Sequence, residues 1–274
     1  MTEATFTLLG VGTSSGVPRL GCSCEICKNC LPGSKNRRQR VAALLEVDGK
    51  KLLIDAGPDI RNQLLEHNVH HIDALLVTHN HFDHIAGLDD VKYVGNLKDC
   101  SIPLYCNPPT GNDLQKRIPW LLKSTTPAFH PPFEICTIKP WSKIPFGPLT
   151  IQTLCYTQQN EGHSHPTEVM GFRVGTLAFL TDIKRYQPRL LDQLEGVEIL
   201  IVGAVRDGES VAHFTFQQAA EFAKLIQAKR TIFIHLDHSV DYATSLKRLA
   251  ASGPLDDFGI ELGYDGLKIE RFVF

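Results

Sequence analysis

The stretch THNHFDH (78–84) is the most informative part of the sequence. It directly continues the apolar run IDALLV (72–77). It holds four potential metal ligands within six positions, namely His79, His81, Asp83 and His84. Ligands on a helix would be spaced i, i+4, as in HExxH, and these are not. At a strand end, ligands at i and i+2 can point to the same side, and the next two can turn towards a second ion. The density of donors therefore predicts a metal site at the end of a β-strand.

Spelled THxHxDH and placed after an apolar strand, this motif strongly resembles the metallo-β-lactamase superfamily. The resemblance covers nearly the whole chain, since counterparts of the family's later ligands are also present. It implies an α/β fold, the αββα sandwich, in which two mixed sheets pack together and helices cover their outer faces. The metal site is then expected at one edge of the two sheets. We expect residues 1–274 to form a single domain of this kind.

The later ligands of the family have candidates in this chain. One further His is expected between the motif and a strand-ending Asp, and both His163 and His165 are available. His165 is favoured because it lies six residues before Gly171, as in related sequences, and His163 remains the alternative. Asp182 ends the apolar run LAFLTD, and His235 ends RTIFIH.

Together these residues imply a dinuclear site for two divalent ions, Zn²⁺ or Mn²⁺. The expected ligands are His79, His81 and His165 for one ion, and Asp83, His84 and His235 for the other, with Asp182 between them. Asp55, in LLIDAG, matches a family position behind the ligands. We expect it to support the ligands and not to bind metal itself.

A second metal motif is the run Cys22-x-Cys24-x-x-Cys27, within a loop at about 20–31. Three thiolates on one short loop suit a tetrahedral structural zinc, which needs a fourth ligand. Spacing alone makes Cys30 the obvious candidate. However, a GVP segment followed by CxCxxC and an Arg-rich stretch resembles the phosphoribosyl cyclic phosphodiesterases, the PhnP branch. That branch takes its fourth ligand three residues after the last active-site His, which here is His238.

The resemblance to this branch implies a metal-dependent hydrolase that cleaves a small cyclic or diester phosphate. A hydroxide shared by the two ions is expected to attack phosphorus, with Asp83 orienting it. His213, just before an amphipathic segment, is placed like the extra His of phosphodiesterases and is expected to assist the leaving oxygen. Arg37, Arg38 and Arg40 receive no role, because a run of charges is usually a solvated face.

Three other functions stay open. A ribonuclease that processes transfer-RNA 3′ ends has the same motif, but nothing here resembles its inserted basic arm for RNA. A thioesterase or lactonase of the same fold would not need His213. Some relatives with the CxCxxC loop have lost metal ligands and act as binding proteins in cofactor biosynthesis, against which the complete THNHFDH argues.

Composition limits the partners. The chain has 274 residues, 43% of them hydrophobic, and its formal net charge of −2 argues against a dedicated nucleic-acid surface. No apolar run approaches the roughly 18 residues of a membrane helix, and the N-terminus does not read as a signal peptide. We therefore expect a cytoplasmic protein with a small phosphate ester as its partner, and the sequence leaves a homodimer open.

Local patterns also predict individual elements. Asp48-Gly49 between two apolar runs is a strong hairpin signal. Further strands are predicted at 102–106, 149–155, 171–181, 197–203 and 230–235. Helices are predicted from Pro58 to about Glu66 and near 110–122, 215–227 and 241–251. The alternating C-terminal sequence predicts a final pair of strands that turns at Asp265-Gly266.

Overall fold

The protein is described here by a computed structural model that covers residues 4–95, 100–124, 130–159, 165–251, 259–270 and 272–274. Within these ranges the backbone forms fourteen strands: β1 Ala4–Gly10, β2 Ala42–Val47, β3 Lys50–Ile54, β4 Ala74–Leu76, β5 Ile102–Cys106, β6 Phe133–Thr137, β7 Lys143–Phe146, β8 Leu149–Gln158, β9 Thr167–Val174, β10 Leu177–Leu180, β11 Ile199–Gly203, β12 Arg230–Ile234, β13 Ile260–Leu262 and β14 Leu267–Glu270.

The same residues form eight α-helices: α1 Glu25–Asn29, α2 Ile60–Glu66, α3 Phe82–Ile85, α4 Leu88–Val91, α5 Pro108–Arg117, α6 Arg189–Gln193, α7 Phe216–Ile226 and α8 Tyr242–Ala251. Short 3₁₀ turns at Lys92–Val94 and Pro119–Leu121 follow α4 and α5. Helix α7 begins with a capping box, in which the Thr215 side chain accepts from the Gln218 N–H and the Gln218 side chain accepts from the Thr215 N–H. None of the helices described is both long enough and apolar enough to cross a bilayer.

The strands lie in two seven-stranded sheets, ordered β14-β1-β2-β3-β4-β5-β6 and β13-β12-β11-β10-β9-β8-β7. In each sheet four neighbouring strands are parallel, β3 to β6 in the first and β10 to β13 in the second. One apolar core lies between the sheets, where the rings of Phe6 and Phe179 are 5.7 Å apart. Two further cores lie under helices on the outer faces. The predicted αββα sandwich of two mixed sheets is confirmed.

Local patterns predict one of two tight hairpin turns correctly. The hairpin at Asp48-Gly49 is present, with φ angles of 48° and 74° at these residues. The single strand predicted at 171–181 is wrong, because the chain reverses at Gly175, whose φ is 54°, and forms the antiparallel pair of β9 and β10. Both strands are buried, so apolar residues continue through the turn and hide it.

The predicted C-terminal strand pair is also wrong. Strand β13 pairs with β12 in one sheet, whereas β14 pairs with β1 in the other. The segment around Asp265 therefore carries the chain from one sheet to the other. The Asp265 carboxylate accepts from the backbone N–H of Val11 at 3.0 Å and of Gln39 at 2.7 Å.

Candidate metal centre

Three of the predicted site residues lie where parallel strands end, and the backbone turns sharply at each. Asp55 directly follows β3, Asp182 lies two residues after β10, and His235 directly follows β12. Their φ angles are 61°, 52° and 58°, in the left-handed region that L-residues seldom adopt. Such conformations persist only where the surroundings enforce them, and they cluster at functional sites. The turns bring the ends of both sheets to one place.

The motif after β4 is held against the segment that follows β3. The backbone N–H of Ala56 donates to the carbonyl of His84 at 2.7 Å, and that of Gly87 donates to the carbonyl of Ala56 at 2.8 Å. A side chain at Gly57 would meet the backbone of Asp83, since an added Cβ would lie 2.0 Å from its carbonyl oxygen. This close approach fixes the ligands on α3 relative to Asp55.

Asp55 is fully buried and orients two of the histidines. Its Oδ2 lies 2.7 Å from Nδ1 of His84, so that ring nitrogen donates to the carboxylate. The Thr78 hydroxyl donates to the same carboxylate at 2.8 Å and therefore accepts from Nδ1 of His79 at 3.0 Å. Both Nε2 atoms are left with free lone pairs, as metal ligands require. Asp55 supports the ligands from behind, as its position in the sequence implied.

The free atoms of five side chains then converge. His84 Nε2 lies 3.3 Å from Asp83 Oδ2 and 3.2 Å from Asp182 Oδ2, and His235 Nε2 lies 3.2 Å from Asp182 Oδ1. Within each of three groups the donor atoms lie within 4.8 Å of one another, namely His79, His84 and Asp182, then Asp83, His84 and His235, and finally Asp182, His213 and His235. The Nε2 atoms of all three histidines are buried and make no hydrogen bond. Buried polar atoms are normally satisfied, so this arrangement fits divalent cations.

The charge state of the carboxylates supports the same conclusion. Burial opposes the ionisation of Asp182, but His235 and His84 outweigh it and hold the pKa of this carboxyl well below its usual value. The pKa of Asp83 is lowered in the same way, against burial, chiefly by His84. Burial lowers the pKa of His79, which is therefore neutral and able to ligate. The cluster thus combines charged carboxylates with the neutral imidazole of His79. Burial opposes the charged form of His84, but the neighbouring carboxylates outweigh it and raise the pKa of His84 well above its usual value, so a cation would bind at Nε2 in place of a proton.

His213 lies beside this cluster, with Nδ1 3.4 Å from Asp182 Oδ1 and its ring centroid 4.5 Å from that of His235. Its other nitrogen, Nε2, lies 3.3 Å from the side-chain nitrogen of Gln158. An amide nitrogen can only donate, so Nε2 accepts and the ring proton is on Nδ1, facing Asp182. Burial lowers the pKa of His213 to about 4, so the ring is neutral at pH 7. In this tautomer Nδ1 of His213 is a hydrogen-bond donor, and the group that it forms with Asp182 and His235 would need the other tautomer to bind an ion.

Two predicted ligands are not brought into these groups. The rings of His81 and His79 are 4.5 Å apart, but Nε2 of His81 instead lies 3.4 Å from the Thr167 hydroxyl. His165 is exposed and joins no donor group among the described residues. The alternative ligand His163 lies outside the described residues. The assignment of His81 and His165 as ligands stays a prediction.

The cysteine cluster forms a separate donor group. Cys22, Cys24, Cys27 and His238 bring their ligand atoms within 4.8 Å of one another. His238 Nδ1 lies 3.5 Å from the sulfur of Cys22 and 3.6 Å from that of Cys24. The contact with His238 is the main reason that the pKa of Cys24 falls to about 6. Cys30 is turned away, and its thiol donates to the carbonyl of Cys27.

Sequence patterns gave no role to Arg38, which is among the largest fully buried side chains. Its guanidinium donates to the carbonyls of Asp237 and Val240, at 3.2 and 2.8 Å, and its backbone pairs with that of Val17. It therefore joins the start of the cysteine loop to the segment that carries His238. Thr78 and Gln158 were also missed. Thr78 is the first residue of the motif 78–84, and this position is the signal that could have drawn attention to it.

Comparison with known proteins agrees with this geometry. The sequence profile described as "Beta-lactamase superfamily domain" matches residues 50–236. An octanoyltransferase of Porphyromonas gingivalis is 30% identical over 264 residues, which are 95% of this chain and 50% of that protein. The chain thus spans about half the length of this curated relative.

Two solved structures are similar over almost their whole length. One is described as a new diphosphatase from the PhnP family, with a TM-score of 0.86 and 32% identity, covering 99% of this chain and 98% of that one. Zn²⁺-bound PqqB from Methylobacterium extorquens has a TM-score of 0.80 and 20% identity, covering 97% and 99%, and shows the shared fold alone. Because the profile matches more than half of the chain, this protein belongs to the beta-lactamase superfamily and has the metallo-β-lactamase fold.

Proposed function

We propose that this chain is a metal-dependent phosphodiesterase that hydrolyses a small cyclic or diester phosphate. The observation that carries the proposal is the convergence of three buried, unpartnered Nε2 atoms with two carboxylates, next to the donor His213. The similarity to a PhnP-family diphosphatase at 32% identity supports a substrate with phosphorus at its reactive centre. A small phosphate ester is accordingly the proposed partner.

The side chains that would hold two divalent ions, Zn²⁺ or Mn²⁺, are His79, Asp83, His84, Asp182 and His235, with His81 and His165 as further predicted ligands. Bound there, such ions would supply Lewis-acid catalysis and make water more acidic. We also propose a structural zinc held by Cys22, Cys24, Cys27 and His238.

The chain's own groups have distinct proposed roles. Asp83 is charged and has 14% of its side chain exposed, so it can accept a hydrogen bond from the attacking water and orient it. His213, 15% exposed, is neutral with its ring proton on Nδ1, so it can donate a hydrogen bond to the charge that develops on the leaving oxygen, which then takes its proton from water. Asp55 and Thr78 keep His79 and His84 in the ligating tautomer while this happens.

A second candidate is the hydrolysis of an acyl thioester. The relative that matches 95% of this chain is described as an octanoyltransferase, which favours an acyl substrate. The matched part is only half of that protein, so the acyl chemistry could belong to its other half. His213 distinguishes the two candidates, because a thiolate leaves without a proton and an alkoxide does not.

A substrate panel tests both candidates. Protein loaded with Mn²⁺ or Zn²⁺ is given bis-p-nitrophenyl phosphate, a 2′,3′-cyclic nucleotide, ribose 1,2-cyclic phosphate, an octanoyl thioester and a lactone. The phosphate diesters should turn over, and His84→Ala should abolish this while the exposed control His70→Ala should not. Turnover of only the thioester or the lactone would refute the phosphodiesterase.

A further inference from the structure

One lysine makes three hydrogen bonds to the segment that carries His213 and to the helix that follows it. The ammonium of Lys184 donates to the carbonyl of Ser210 at 2.6 Å, to the carbonyl of His213 at 3.1 Å and to Oε1 of Gln218 at 3.1 Å. An ammonium has three donors and no acceptor, so all of its hydrogen-bonding capacity is used here. None of these acceptors carries a charge, so the contacts fix geometry and do not form an ion pair.

The three acceptors lie in the connection between β11 and α7 and in the first turn of α7. Ser210 and His213 belong to the connection between β11 and α7, and the Ser210 hydroxyl also accepts from the His213 N–H at 3.2 Å. Gln218 belongs to the capping box of α7. Lys184 thus ties the connection to the first turn of a helix that is buried on one face against the sheet.

Lys184 itself is held close to the metal ligands. It lies two residues after Asp182, and its backbone N–H donates to the carbonyl of Thr157 at 2.9 Å. The neighbouring carbonyl of Ile183 accepts from the N–H of Phe214 at 2.8 Å. One short segment therefore contains both Asp182 and the groups that hold the backbone on either side of the His213 ring.

We propose that Lys184 is a positioning residue, which holds the His213 ring where its Nδ1–H can donate a hydrogen bond to the leaving oxygen. The inference rests on the proposed phosphodiesterase function for its catalytic consequence, but not for the contacts themselves. The contacts with Ser210 and His213 leave the backbone of the connection little freedom to move the ring. Without the ammonium, kcat should decrease for reactions whose leaving oxygen depends on the hydrogen bond from Nδ1 of His213.

Leaving groups separate this role from a general loss of structure. Hydrolysis of a 2′,3′-cyclic nucleotide expels a ribose alkoxide, which depends on a hydrogen-bond donor. The p-nitrophenolate leaving group delocalises its charge and does not depend on one. Lys184→Met should lower kcat on the cyclic nucleotide by about tenfold or more, and on bis-p-nitrophenyl phosphate by less than about threefold. In a His213→Ala background, Lys184→Met should cause no further loss. Equal losses on both substrates, or an undiminished loss in that background, would overturn the inference.

A second measurement does not depend on activity. Amide hydrogen exchange in Lys184→Met should be faster than in wild type at 210–214 and unchanged at β10 and β12. Lys224→Met, which removes an exposed lysine from α7, is the matched control and should change neither exchange nor kcat. Lys184→Gln serves if the Met variant is poorly folded. Unaltered exchange at 210–214 would refute the positioning role, whereas absence of diesterase activity in wild type would refute only the proposed function.

Discussion

At the scale of single residues, the site depends on which nitrogen of each imidazole carries the proton. The Asp55 carboxylate accepts hydrogen bonds from Nδ1 of His84 and from the Thr78 hydroxyl. Because the hydroxyl donates to Asp55, it accepts from His79, and the proton of that ring is therefore on Nδ1. The amide of Gln158 has the opposite effect on His213, because it leaves the proton on the nitrogen that faces the site. Contacts behind the rings thereby distinguish the proposed ligands His79 and His84 from the proposed hydrogen-bond donor His213.

We therefore expect Asp55→Asn to weaken metal binding. The amide has the size of the carboxylate but only one acceptor, so His84 and Thr78 can no longer both donate to it strongly. Metal affinity should fall by about 10- to 100-fold. Competition with a chromophoric chelator measures it. Asp59→Asn, which alters a carboxylate paired with Arg40 on the outside, is the control. Unchanged affinity in Asp55→Asn would contradict the orienting role.

At the scale of elements, the segment 235–240 serves both donor groups. His235 belongs to the His/Asp cluster, and His238 belongs to the cysteine cluster. Between them, Asp237 forms an ion pair with Arg206 at 2.8 Å, and its carbonyl accepts from the buried Arg38. A zinc bound by the cysteines would therefore restrain the wall of the catalytic site and would not itself activate water.

A comparison of two variants tests the choice of the fourth cysteine-cluster ligand. His238→Ala should release the tightly held zinc and lower the melting temperature, because the ion loses one of four ligands. Cys30→Ser should keep about one zinc per chain after mild chelation, since its thiol donates to the Cys27 carbonyl and is not part of the donor group. Elemental analysis after chelation reports both. Retention of zinc in His238→Ala together with its loss in Cys30→Ser would reverse the assignment.

At the scale of the whole molecule, Asp265 lies where the chain passes from one sheet to the other. Its carboxylate accepts two backbone N–H groups from the N-terminal part of the chain, and burial raises its pKa to about 7. In the unfolded chain the pKa is near 3.8, so between these values the folded state holds a proton that the unfolded state has released. The stability that this bound proton contributes is fully present below about pH 4 and is lost as the pH rises through about 7.

Urea unfolding at pH 5 and pH 8 tests this linkage. Wild type should lose about 2–3 kcal/mol more stability than Asp265→Asn as the pH rises between these values, because the amide cannot titrate. Asp265→Ala leaves two backbone N–H groups without their acceptor, so it should cost about 2–4 kcal/mol at pH 7. Parallel pH profiles for wild type and Asp265→Asn would show that the carboxyl does not titrate in this range.

The features that could be predicted from the sequence are those set by neighbouring residues. The motif 78–84, the hairpin at Asp48-Gly49 and the cysteine spacing are local, and the resemblance they carry supplied the αββα sandwich. The separation of β13 and β14 could not be predicted, because their partners β12 and β1 are distant in the chain. The contacts of Gln158 and Lys184 with the His213 segment also form only in the folded chain, so no sequence pattern predicts them.

We propose that the buried donors hold two divalent cations and that the chain is a phosphodiesterase that depends on them. A titration tests it most directly: protein stripped by a mild chelator receives Mn²⁺ stepwise while hydrolysis of bis-p-nitrophenyl phosphate is followed. We expect no activity at first, a rise that levels off at about two equivalents per chain, and no rise in His84→Ala. Hydrolysis that is independent of added metal, or none at any occupancy, would contradict the account.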